Sequence, residues 1–110
     1  MAMNEKYAAI EPARAEIEVL DGPTVLEFGT PWCEYCRAAQ APLAAAFADF
    51  PDMRHVKIED GKGRPLGRSF RVTLWPTLVL LSNGRETARL VRPADANAIR
   101  QALAQIAIAG

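Results

Sequence analysis

Trp32-Cys33-Glu34-Tyr35-Cys36 decides how the rest of this 110-residue chain is read, and it holds the only two cysteines. Immediately before it runs Thr24-Val25-Leu26-Glu27-Phe28, short and rich in apolar and β-branched residues, closed by the turn formers Gly29-Thr30-Pro31. That run reads as a buried strand. After it, Arg37 to Phe50 is rich in alanine and sets Leu43, Phe47 and Phe50 three or four residues apart, which predicts a helix with one apolar face. The cysteines therefore fall where a strand has ended and a helix begins.

That placement has chemical consequences. The first amide N–H groups of a helix lack an intrahelical partner and the dipole is positive there, so an anion is stabilised. A thiolate is such an anion, which makes Cys33 the expected nucleophile and Cys36, one turn deeper, the more covered thiol. Two helical residues three apart have Cα atoms roughly 5 Å from each other, inside the range that a disulfide accepts. A two-step exchange follows: Cys33 attacks a substrate disulfide, then Cys36 attacks Cys33 and releases the product.

Composition narrows the remaining classes. Half of the residues are hydrophobic, and 13 basic residues balance 13 acidic ones. A chain of this length suits one domain over residues 1–110 with a single core. A formal net charge of zero gives no bulk attraction to nucleic acid or to an anionic membrane. Met1 to Tyr7 lacks the apolar centre of a secretory signal, no stretch approaches a membrane span, and two cysteines are too few for an extracellular disulfide scaffold. The expected compartment is cytoplasmic and the expected state a monomer.

Outward from the motif, Pro12 suits the first turn of a helix carrying Ile17 and Leu20, and Asp21-Gly22-Pro23 is a turn. Pro42 lies inside the cysteine-bearing helix, which predicts a kink over residues 38–42, and residues 49–52 end it. His55-Val56-Lys57-Ile58-Glu59 alternates and forms the second strand of a parallel βαβ unit. Pro65 opens a short helix through Phe70. Leu78 to Leu81 is a third strand, Asn83-Gly84 a hairpin turn, and Glu86 to Val91 its antiparallel partner. Asp95 is the expected N-cap of a last helix with Ile99, Leu103 and Ile106 on one face. The fold class is α/β: a mixed central sheet, a parallel βαβ half plus a C-terminal hairpin, flanked by helices.

From about Thr24 onward, order and motifs together resemble the thioredoxin family. Aromatic-Cys-X-X-Cys stands at a strand-to-helix junction, a helix proline follows at Pro42, and Pro76-Thr77 precedes an apolar strand. The resemblance implies that Pro76 is cis and lies beside the cysteines, with the backbone before it pairing with the substrate chain. It also implies a buried carboxylate on the strand leading into the motif, and Glu27 stands there. A carboxyl group in an apolar strand holds a proton more readily than one in water. Glu27 is accordingly the expected acceptor of the Cys36 proton.

The chain departs from the family pattern at three places. Gly29 replaces a usual tryptophan, Arg92 replaces a usual small residue after the last strand, and Glu34-Tyr35 stands between the cysteines where reductive thioredoxins commonly carry Gly-Pro. A carboxylate about 6 Å from Cys33 in water opposes thiolate formation by only about 0.5–1 kcal/mol. The tyrosine is also similar to that of glutaredoxins, but the glycine pair that follows the cis proline in those proteins is missing. Arg64, Arg68 and Arg71 have a spacing that puts them on one helical face, either to meet a glutathione carboxylate or an acidic partner, or simply as a solvated surface.

Other readings compete. A Cys-X-X-Cys can be half of a zinc site, but His55 is the only further soft ligand, which leaves a cluster bridging two copies as the metal reading. His55 itself reads as an ordinary strand residue, Glu27 as either buried or solvent-facing, and Trp32 and Trp75 as either packing or a substrate rim. The expectation is an enzyme, a reductive thiol-disulfide oxidoreductase with catalytic Cys33, Cys36 and Glu27 and substrate-binding Trp32, Trp75 and Pro76. It needs no cofactor beyond its own disulfide. Its partners would be disulfide-containing proteins and an upstream reductase or glutathione as electron donor. The alternatives are a binding module with a regulatory disulfide and a glutaredoxin-like, glutathione-dependent enzyme.

Overall fold

A computed structural model describes residues 3–109; Met1 and Ala2, the first residues of the start read above for a leader, lie outside it, as does Gly110. The elements run α1 (Arg14–Glu18), β1 (Pro23–Gly29), α2 (Glu34–Phe47), β2 (Arg54–Glu59), α3 (Pro65–Ser69), β3 (Thr77–Ser82), β4 (Arg85–Val91) and α4 (Ala96–Ala109). The strands form one sheet in the order β2-β1-β3-β4, with β1 and β2 parallel and the other pairs antiparallel. This is the expected mixed α/β architecture. No helix among the described residues is long and apolar enough to cross a membrane.

Alternation along the strands splits the core in two. Val25, Leu78 and Leu80 pack with Leu43 and Phe47 of α2 and Ile99, Leu103 and Ile106 of α4 on one face. Leu26, Phe28, Val79 and Leu81 pack with Ile17, Leu66 and Phe70 on the other. Glu27, two residues after Val25, therefore shares the α2 face, because successive strand residues point to opposite sides.

Local chemistry sets the boundaries. Asn83 and Gly84 both take positive φ (51° and 79°), as the two-residue hairpin turn requires. Asp95 caps α4, its Oδ1 accepting the Asn97 amide N–H at 2.9 Å. α2 continues through Pro42 but stops at Phe47, short of the Phe50 expected from the apolar spacing. The Asn4–Ala8 run, outside any regular element, lies along the outer edge of β2: the Ala8 amide donates to the Lys57 carbonyl at 2.8 Å, and Lys57 Nζ reaches the Glu5 carbonyl.

Candidate active site

β1 and α2 meet at the cysteines. Cys33 is the N-cap of α2 and its sulfur accepts the Cys36 amide N–H at 3.4 Å. Both residues are free thiols, Cys33 8% exposed and Cys36 1%. Burial pushes the Cys33 thiol up, but hydrogen bonds from the Cys36 side chain and from the Cys36 and Tyr35 backbone, with the Arg92 charge, outweigh it and bring the net shift down. Burial dominates at Cys36: despite a hydrogen bond to the Thr30 backbone, that desolvation, the Cys33 hydrogen bond and the Cys33 and Glu27 charges push it up to about 12. The site thus favours ionisation of Cys33 and disfavours that of Cys36.

Glu27 is fully buried below this turn. Its Oε1 lies 2.9 Å from His55 Nε2 and its Oε2 accepts from Gln40 Nε2 at 3.1 Å. Gln40 also donates to the Cys36 carbonyl at 2.8 Å and accepts from Lys57 Nζ at 2.9 Å. The His55 tautomer is assigned by its partners. The Asn4 amide N–H donates to Nδ1 at 2.7 Å, so Nδ1 is the acceptor and Nε2 carries the proton toward Glu27. His55 Nε2 and the Gln40 amide thus hold the two oxygens of Glu27 in place, and the Asn4 amide in turn fixes the imidazole.

The facing wall comes from the neighbouring strand β3. Because β3 is antiparallel to β1, with Phe28 opposite Thr77, the loop before β3 rises beside the loop after β1. The Trp75–Pro76 peptide there is cis. Trp75 Nε1 donates to Asp60 Oδ2 at 2.8 Å, and its ring meets that of Trp32 edge-on with centroids 5.6 Å apart. Trp32 is 68% exposed and Tyr35 56%. Arg92, at the end of β4, lies over Tyr35.

Comparison with known proteins fits this geometry. The thioredoxin family model matches residues 8–105. The chain belongs to the thioredoxin family. A thioredoxin H2 of Arabidopsis thaliana is 30% identical over 76 residues, covering 69% of this chain and 57% of that protein. Thioredoxin-1 of Saccharomyces cerevisiae is 32% identical over 85 residues, 76% and 81% of the two chains. The chain spans little more than half the length of the Arabidopsis protein and of yeast mitochondrial thioredoxin-3, 57% and 53%. The solved structure of reduced thioredoxin 2 from Pseudomonas aeruginosa PAO1 superposes with a TM-score of 0.86 at 52% identity, covering 98% of this chain and all of that one.

Within that thioredoxin frame, several sequence expectations change. His55 is not an ordinary strand residue: it is 6% exposed and bound to Glu27. Glu27 does not face solvent, nor are its surroundings purely apolar. Arg64, Arg68 and Arg71 do not share a helical face, because α3 has only five residues; Arg64 precedes it and Arg71, past its end, adopts a left-handed φ of 60°. Gly29 has a steric reason, since a Cβ there would lie 2.5 Å from Cys36 Sγ and 3.3 Å from the Tyr7 hydroxyl. Tyr7, Gln40 and Asp60 carried no motif of their own. Asp60 follows an alternating strand as a loop residue, and only the fold brings it to Trp75.

Proposed function

We propose that this thioredoxin-family chain is a thiol-disulfide oxidoreductase that reduces protein disulfides through the Cys33-Glu34-Tyr35-Cys36 site. The opposite displacement of the two thiol acidities carries the reading: a lowered Cys33 beside a Cys36 raised to about 12 separates attack from resolution. The Cys33 thiolate attacks one sulfur of the substrate disulfide, forming a mixed disulfide and expelling the other sulfur as a thiolate. Cys36 then gives up its proton and attacks Cys33 Sγ. The second substrate thiolate leaves, two electrons have passed to the substrate, and the Cys33–Cys36 disulfide remains.

Glu27 is assigned as the proton acceptor in the second step, supported by its burial beneath the cysteines and by donors that fix its carboxylate. Trp32, Trp75 and Pro76 are assigned to the substrate wall, supported by the exposure of Trp32 and the closeness of the two indoles. An upstream dithiol reductase or glutathione returns the two electrons, no further cofactor is needed, and the protein works as a single-domain monomer in a reducing, cytoplasmic setting. The test is Cys36→Ser: mixed with a disulfide-bearing protein, this variant accumulates a stable Cys33 mixed disulfide that wild type resolves. A variant that alkylates normally at Cys33 yet traps no substrate would overturn the assignment.

A further inference from the structure

Arg92 sits in a left-handed backbone conformation (φ 50°), which side chains other than glycine and asparagine rarely adopt. Three contacts hold it there. Its amide donates to the Pro76 carbonyl at 2.8 Å, its Nε donates to the Trp75 carbonyl at 2.9 Å, and its guanidinium carbon lies 3.9 Å from the centre of the Tyr35 ring. The side chain thus spans from the loop before β3 to the first turn of α2, across the two halves of the site. Its two terminal amines have no hydrogen-bond or ion-pair partner among the described residues. A guanidinium with its stem and Nε fixed and its terminal amines open has already lost most of the rotamer freedom that binding would remove.

Its surroundings define what it meets. The charge of Arg92 is felt at Cys33. On its other side a groove of about 730 Å³ runs between Tyr35, Ala38, Pro42, Pro93 and Asp95. Asp95 brings negative charge to that groove, but its Oδ1 is held by the Asn97 amide at the start of α4. Glu34 beside Cys33 is exposed and makes no ion pair with Arg92. The guanidinium is therefore a fixed cation bridging the two halves of the site, and it is suited to a planar anion delivered close to the reacting sulfur.

We propose that Arg92 is a specificity-determining carboxylate-binding position, selecting disulfides that carry an acidic group next to the cysteine attacked by Cys33. The inference rests on the oxidoreductase reading and names its substrate class. The carboxylate belongs either to an Asp or Glu of a protein substrate or to glutathione. The planar fork and the stacking contact matter as much as the charge, so lysine is not equivalent.

The experiment uses three disulfide peptides of one sequence that differ only beside the cysteine, with Glu, Gln or Lys, and oxidised glutathione beside a small neutral disulfide. Reduction by the reduced full chain is followed in a stopped flow through tryptophan fluorescence. Wild type is expected to reduce the Glu peptide about two- to fivefold faster than the Lys peptide, the range of an exposed charge pair. Arg92→Gln brings that ratio close to one and Arg92→Glu inverts it, while Arg92→Lys keeps only part of it. The ratio is the readout, because a general change in Cys33 reactivity cancels from it. An Arg92-dependent gain on the acidic peptides assigns a protein source, and one confined to glutathione assigns the small molecule. If neither depends on Arg92 while all the disulfides are reduced, this inference alone is overturned. If none is reduced, not even the neutral disulfide, the oxidoreductase reading falls and takes this one with it.

Discussion

Burial pushes any thiol toward its neutral form, and both cysteines feel it; they differ in what opposes it. Cys33 has donated hydrogen bonds and a cation to lower it, whereas Cys36 has two nearby anions that raise it further. A lowered value means that the thiolate persists to lower pH. Alkylation of the reduced protein should thus rise to half its plateau below the pH at which free cysteine does, and mass spectrometry should find one adduct per chain, on Cys33, throughout the neutral range. A midpoint at or above that of free cysteine would contradict the site as described. His55 yields a second test. Replacing it with Leu strands the Asn4 amide and one oxygen of a buried carboxylate, a loss expected to be about 1–3 kcal/mol by urea unfolding. His55→Gln keeps a donor near Glu27 and should recover part of the stability. The pH profile of the resolving step should also shift in His55→Leu, which a purely structural role would leave in place. None of this was legible at residue 55 in the sequence, because an alternating strand containing one histidine looks the same whether its partner is water or a carboxylate 28 positions away.

At the scale of elements, the readable features were those with short periods. The apolar spacing of Ile99, Leu103 and Ile106 announces a helix with one buried face, and all three are buried against α2 and the sheet. Their packing makes a quantitative expectation: Leu103→Ala should remove about 2–5 kcal/mol from the unfolding free energy, since the side chain is 1% exposed and its space cannot fully collapse. A loss below 1 kcal/mol, with the denaturant slope unchanged, would mean that α4 is not the seal over this core. Short elements were read less well. The pattern places α3 correctly, with Phe70 as its C-cap, but it does not show that Arg71 falls out of phase, because the left-handed turn there leaves no periodic trace. The end of α2 is likewise illegible to within a turn, because Phe50 keeps the apolar spacing after the helix has stopped.

Across the whole molecule, the antiparallel placement of β3 against β1 explains why three chain-distant loops share one end of the sheet. The motif, the wall at Trp75-Pro76 and Arg92 all emerge there, and no spacing rule connects them. The sequence shows the Cys-X-X-Cys turn and the four strands, since each is written within a few neighbouring residues. It did not hold the contacts that tune them: Asn4 to His55 spans 51 positions and Trp75 to Asp60 spans 15. Such pairings are products of topology.

The Asn4–Ala8 run along β2 has one more consequence. An uncovered strand edge is a row of unpaired amides and carbonyls onto which a foreign strand can add, and the outer row of β2 is capped at Lys57 by Ala8. β4, at the opposite side of the sheet, guards its own edge with the charges of Arg85, Glu86 and Arg89. The two sides are protected by different means, one by charge and one by a few residues of irregular chain. Proteolytic trimming of that short run should open a seam for strand addition along β2 and, with Asn4, remove the donor that fixes His55, so a segment that belongs to no helix or strand guards both the edge and the buried carboxylate.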